Sequence, residues 1–130
     1  MDQRDLASHL DLANHHGNAT QDDIVRLCSD VITYGFNGAF VNPTYISLVK
    51  EKLRGKAKVG TALSFPLGQE TTEMKVNAAQ QSIKLGADEL DIVPNNSLLL
   101  TNNPEAYKKE LKTIVDAARA VKKNIVVKFI

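Results

Sequence analysis

The feature that most constrains this chain is a repeated switch of hydrophobic period, from helical to strand-like and back. Ile24, Leu27, Cys28, Val31 and Ile32 fall at i, i+3, i+4, i+7 and i+8 behind the capping residue Thr20, and Gly35 stops that helix. "FNGAFVN" (Phe36–Asn42) follows as a short strand, and Asn42-Pro43 opens a second helix through Ile46, Val49 and Leu53 to Gly55. The unit then recurs. "KVGTALSF" (Lys58–Phe65) reads as a strand, and "PLGQETTE" leads from it to a helix begun by Thr71 or Thr72. That helix turns Met74, Ala78, Ala79 and Ile83 inward and ends at Gly86. "ADELDIV" is a third strand. A loop, "PNNSLLLTNN", precedes the longest helix, begun by Asn103-Pro104-Glu105, with Tyr107, Leu111, Ile114, Val115, Ala118 and Val121 as its buried stripe. "NIVVKFI" (Asn124–Ile130) closes the chain as a fourth strand.

Strand–helix alternation with short connections implies parallel strands joined by right-handed crossovers. The expectation is one domain spanning residues 1–130: an α/β unit of four parallel strands with helices on the outer face, preceded by an N-terminal helical segment. Such a unit fits a small open sheet or half of a (β/α)8 TIM barrel. The loops after Asn42, Phe65 and Val93 share the face on which such folds build their sites. No G-x-G-x-x-G or G-x-x-x-x-G-K-[ST] follows a strand, which argues against a dinucleotide fold or a P-loop. The fourth strand has no helix to cover it, so the expectation is either pairing with another chain through exposed strand edges, as in a homo-oligomer, or a fragment of a longer protein.

Composition narrows the partners. Sixteen basic and fifteen acidic residues give a formal charge of +1, spread without blocks, and so no electrostatic reason to expect nucleic acid or a membrane surface. No apolar run approaches the ~20 residues needed to span a bilayer. "MDQRDLASHLD" lacks the apolar core of a signal peptide. The single cysteine, Cys28, lies on the apolar face of its helix, and the chain reads as a cytoplasmic protein.

The candidate chemistry lies in "GADELDIVPNNS" (Gly86–Ser97), where three acids interrupt an apolar strand. Alternation places Glu89, Asp91 and Val93 on one face and Asp88, Leu90 and Ile92 on the other. The helices pack on Leu90 and Ile92, so Glu89 and Asp91 point inward, and Asp88 is left as a solvated residue. In "IVVKFI" the same logic puts Lys128 on the inner face and Val127 and Phe129 beneath the helices. An inward lysine beside inward carboxylates is either a structural ion pair or a proton-transfer pair. Asp11 alternates with Leu10 and Leu12 and is either a partly buried acid or a turn residue. His9, His15 and His16 supply no convergent metal set and read as surface residues. "SFPLG" lacks the surroundings of a hydrolase serine. "PLGQETT" is an ordinary loop and N-cap or, less simply, an anion-holding turn.

Several stretches together resemble deoxyribose-phosphate aldolase: "LASHLDLANHHGNATQDDI", "YGFNGAFVNPTYI", "FPLGQETTEMKVNAA", "LGADELDIVPN" and "IVVKFI", in the family's order and spacing from Leu6 to Ile130. The resemblance implies a (β/α)8 barrel that cleaves 2-deoxyribose 5-phosphate to acetaldehyde and glyceraldehyde 3-phosphate, or runs the reverse addition, through a lysine Schiff base without metal or cofactor. It matches Asp91 to the aspartate that relays the proton at the enamine carbon. Asp11 and Lys128 are matched to its supporting network. It also implies that the Schiff-base lysine, its partner lysine and the phosphate loops belong to a half not represented here. This chain is therefore expected to be inactive alone, and to meet sugar phosphate and aldehyde only in a completed barrel. The alternative expectation is a non-catalytic, self-associating half-barrel. "DLANHH" and Phe40 depart from the family pattern.

Overall fold

The computed structural model describes residues 1–130. Five parallel strands form one sheet in sequence order: β1 (Asp11–Asn14), β2 (Gly38–Val41), β3 (Lys58–Leu63), β4 (Glu89–Ile92) and β5 (Val126–Phe129). The helices are α1 (Gln3–Ala7), α2 (Gln21–Tyr34), α3 (Ile46–Leu53), α4 (Thr72–Leu85), α5 (Ser97–Leu100) and α6 (Pro104–Val121). Consecutive parallel strands joined by helices, in unbroken order, are the arrangement of a barrel segment. No helix is long and apolar enough to cross a membrane.

The element boundaries follow from local chemistry. Thr20 and Asp23 form a capping box at the start of α2, and Gly35 ends that helix at φ +76°. Thr71 caps α4 by accepting from the Met74 N–H, and Asn103 caps α6 by accepting from the Ala106 N–H, with Pro104 in the first turn. The core lies between sheet and helices. Ala39, Val41, Val59, Leu63, Leu90 and Ile92 of the strands meet Ile24, Val31, Ile46, Val49, Ala79 and Ile114 of the helices. Thr61, also on this face, is fully buried and donates its hydroxyl proton to the Val41 carbonyl, so its burial leaves no unpaired donor.

Three expectations are corrected. The sheet has five strands rather than four, because the stretch ahead of the histidines pairs with β2 as β1, Asp11 opposite Gly38 and Asn14 opposite Val41. The expected N-terminal helical segment is present as the five-residue α1. On α4, Met74 is 56% exposed and Lys75 faces inward instead; on α6, Glu110 is buried while Val121 is exposed. Asp88 is not a free solvated acid: it accepts from the Val59 N–H at 3.1 Å and from Lys122 Nζ at 2.7 Å. Burial pushes its carboxyl up, but those donors and the nearby Lys58 charge outweigh this and hold it below the usual range.

Candidate active site on the concave face

The inner face of the sheet is lined by alternate residues. β1 presents Asp11, β2 Gly38 and Phe40, β3 Gly60 and Ala62, β4 Glu89 and Asp91, and β5 Lys128. Phe40 is 1% exposed although no helix covers it. Its ring lies across Gly60, where an added Cβ would stand 2.3 Å from the ring carbons. Gly60 is thus the small residue that lets an aromatic floor form between β2 and β3. The Lys128 ammonium sits 4.5 Å above the centre of that ring, a cation–π contact.

From there Lys128 spans the concavity. Asp91 lies opposite it in register on β4. Its Nζ is 3.0 Å from Asp91 Oδ1, 3.1 Å from Glu89 Oε2 and 3.2 Å from Asp11 Oδ2. Burial is the largest single influence on this ammonium and disfavours its charge, but pairing with Asp91, Glu89 and Asp11 outweighs it. The lysine is held well above its ordinary range. At neutral pH it is a fixed cation and a poor nucleophile.

The three acids are not equivalent. Asn37, just ahead of β2, donates from Nδ2 to Asp11 Oδ1 at 2.7 Å and reaches Glu89 Oε1 at 3.5 Å. Each of those carboxylates therefore has one oxygen toward the lysine and one toward the amide. Asp91 has no such second partner. Its Oδ1 is buried with only the ionic contact to Lys128, outside hydrogen-bond geometry. It is the acid with acceptor capacity left for a water or a substrate group.

His15 closes the rim. It follows β1 directly, and its ring lies 5.7 Å from that of Phe65, on the loop after β3. It is half-buried, its Nδ1 has no partner, and burial lowers its pKa against the opposing effects of the Asn42 side chain and the Asp91 charge. The imidazole is neutral at pH 7. The reading of all three histidines as surface residues is corrected for His15; His9 and His16 are exposed. No group of three or more His, Cys, Asp or Glu side chains is placed to hold a metal ion. At the "PLGQETT" turn the cap position is filled by the Thr71 hydroxyl, with Glu70 and Glu73 beside it, which favours the N-cap reading over an anion site.

Alternation in the sequence placed Glu89, Asp91 and Lys128 on this face and left Asp11 as either a partly buried acid or a turn residue; the structure brings all four together. Sequence reasoning missed Asn37 and His15. The available signal was positional, since Asn37 immediately precedes one inward-facing strand and His15 immediately follows another.

The family model for DeoC/LacD family aldolases matches residues 1–128. This chain belongs to that family. Among curated relatives, the deoxyribose-phosphate aldolase of Caldicellulosiruptor saccharolyticus is 38% identical over 127 residues, covering 97% of this chain and 58% of the relative. That of Thermococcus kodakarensis is 37% identical over 132 residues, covering 98% and 59%. The solved deoxyribose phosphate aldolase of Aeropyrum pernix, described as a unique tetramer, superposes with a TM-score of 0.84 at 37% identity, covering 98% of this chain and 53% of that one. The chain thus spans a little over half the length of these aldolases, in register with their N-terminal part. The resemblance seen in the sequence motifs and the half-barrel architecture are both shown.

Proposed function

We propose that this chain carries the proton-relay portion of a class I deoxyribose-phosphate aldolase site. The substrate is 2-deoxyribose 5-phosphate, joined as a Schiff base to a lysine supplied from outside these 130 residues. In the cleavage direction the C3 hydroxyl gives its proton through a water to Asp91, and the C2–C3 bond breaks. The iminium accepts its electron pair to give an enamine, and glyceraldehyde 3-phosphate leaves with its new carbonyl at the former C3. Asp91, through a water, then returns a proton to the enamine carbon, and hydrolysis releases acetaldehyde. Asp11 and Lys128 are positioning residues in this reading. The buried single cysteine fits a reducing compartment, and we place the reaction in the cytoplasm.

One observation carries the assignment: of three carboxylates gathered on one ammonium, Asp91 alone has no partner besides that ammonium, which is too firmly protonated to act as nucleophile. Borohydride trapping tests it. Treated with acetaldehyde and borohydride, the 130-residue chain is expected to form no stable adduct at Lys128, and an adduct there would overturn the reading. Supplied with the C-terminal part of the Thermococcus kodakarensis relative, it is expected to gain retro-aldol turnover. Asp91→Asn should lower that turnover by about a hundredfold or more.

A second reading is a silent, self-associating half-barrel. β1 and β5 each pair on one side only, and Val126 and Ile130 at the β5 edge are exposed. An isologous pairing of these edges buries both. A folded monomer in sedimentation at micromolar concentration rules this reading out.

A further inference from the structure

The α4–α6 interface contains a charged pair that the proton-relay reading does not use. Lys75 on α4 is fully buried and Glu110 on α6 nearly so, with side chains 0% and 4% exposed, and Nζ lies 3.0 Å from Oε1. A buried ion pair stabilises a helix interface no better than well-packed apolar residues of the same volume, so packing alone does not account for it. What the charges add is a set of bonds to loop backbone. Lys75 Nζ donates to the Gly68 carbonyl at 2.9 Å, in the loop after β3. Glu110 Oε2 accepts the Asn95 N–H at 2.7 Å, in the loop after β4, and Thr72 Oγ1 donates to Oε1 at 3.3 Å.

The two loops also touch. A Cβ at Gly68, where φ is +66°, would stand 2.3 Å from the Pro94 carbonyl oxygen and 2.8 Å from Val93 Cγ1. The loop after β4 leaves the strand that carries Asp91. The loop after β3 carries Phe65 to His15 on the opposite side of the rim. One ion pair behind the sheet therefore ties down both segments that border Asp91.

We propose that the Lys75–Glu110 pair is a positioning device for the rim of the concave site, fastening the loops after β3 and β4 so that Phe65 covers His15 beside Asp91. The proposal rests on the reading of this face as the active site, but its test needs no turnover, so its failure would leave the aldolase assignment standing.

The test combines amide hydrogen exchange with an NMR titration of His15, whose charged and polar neighbours are Asp91 and Asn42. In the unaltered chain the Asn95 amide is expected to exchange as slowly as amides in the middle of α6; exchange at the rate of a free loop amide overturns the proposal. In the double variant Lys75→Met, Glu110→Leu, the urea midpoint is expected to stay near that of the parent. The Asn95 amide should exchange about tenfold faster or more. The His15 titration should move up toward the ordinary imidazole value of about 6.5 as Phe65 lifts. A folded double variant with both readouts unchanged assigns the pair to helix packing and overturns the proposal. If that variant does not fold, Glu110→Gln replaces it: faster Asn95 exchange with a raised His15 titration supports the proposal, and no change in either overturns it.

Discussion

Lys128 faces three anions with one positive charge, and its side chain is still 36% exposed. Each contact is therefore discounted by solvent, and the ensemble holds because Asn37 takes up the remaining oxygens of Asp11 and Glu89. Replacing Lys128 with Met leaves three carboxylates converging on nothing and is expected to cost about 1–3 kcal/mol at pH 7 in urea unfolding. The pH dependence has a definite sign. The folded-state pKa lies above the unfolded value of about 10.4, so the stabilisation is fully present below that value and is lost as pH rises through the folded pKa. The difference between parent and variant should be flat from neutrality to about pH 10 and narrow above it. Gly60→Ala drives a methyl into the Phe40 ring and is expected to cost roughly 1–3 kcal/mol. Adding Phe40→Leu should recover part of that loss in a double-mutant cycle. The alternation of "ELDI" and "VVKF" was enough to read the facing of Asp91 and Lys128, because both strands bury one side under helices. Asn37 and His15 were not legible in this way. Their roles depend on partners such as Glu89 and Phe65, about fifty residues away along the chain, which no local pattern encodes.

The clearest misreading at the scale of elements is β1. Four residues starting with an acid, between a short helix and a His-Gly turn, carry little intrinsic strand signal. The segment is a strand because β2 offers it a pairing edge and Leu12 packs against the core. α4 shows the complementary failure. Met74 and Lys75 are adjacent, and hydrophobicity favours the wrong one; the lysine is inside because Gly68 and Glu110 satisfy its charge. Asp88, at the start of β4, ties that strand to β3 through the Val59 N–H and to the segment after α6 through Lys122. Its depressed pKa means that its stabilisation is present above about pH 3.9 and is lost as pH falls through the folded value. Asp88→Asn is therefore expected to lower stability at neutral pH and to flatten the loss between about pH 4 and 2 in thermal melts.

As a whole, the molecule is a curved five-stranded sheet with helices on its convex side and a charged cluster on its concave side. Lys128 bridges the outermost strands, reaching Asp11 of β1 from β5 across a floor of Phe40 and Gly60. The family was legible because the motifs carrying it, such as "FPLG" and "GADELD", sit at the turns and strands that shape this face. The strand count was not, since β1 lacks a motif of its own. The proposed proton-relay role of Asp91 requires the Lys128 ammonium to be held in its charged form by Asp91, Glu89 and Asp11, so that Lys128 is not the nucleophile. An NMR titration of the lysine side-chain ε-methylene signals between about pH 8 and 12 tests this most directly. Lys128 is expected to remain charged beyond about pH 11, above the reference lysine value of about 10.4. A Lys128 midpoint at or below the common value would contradict it.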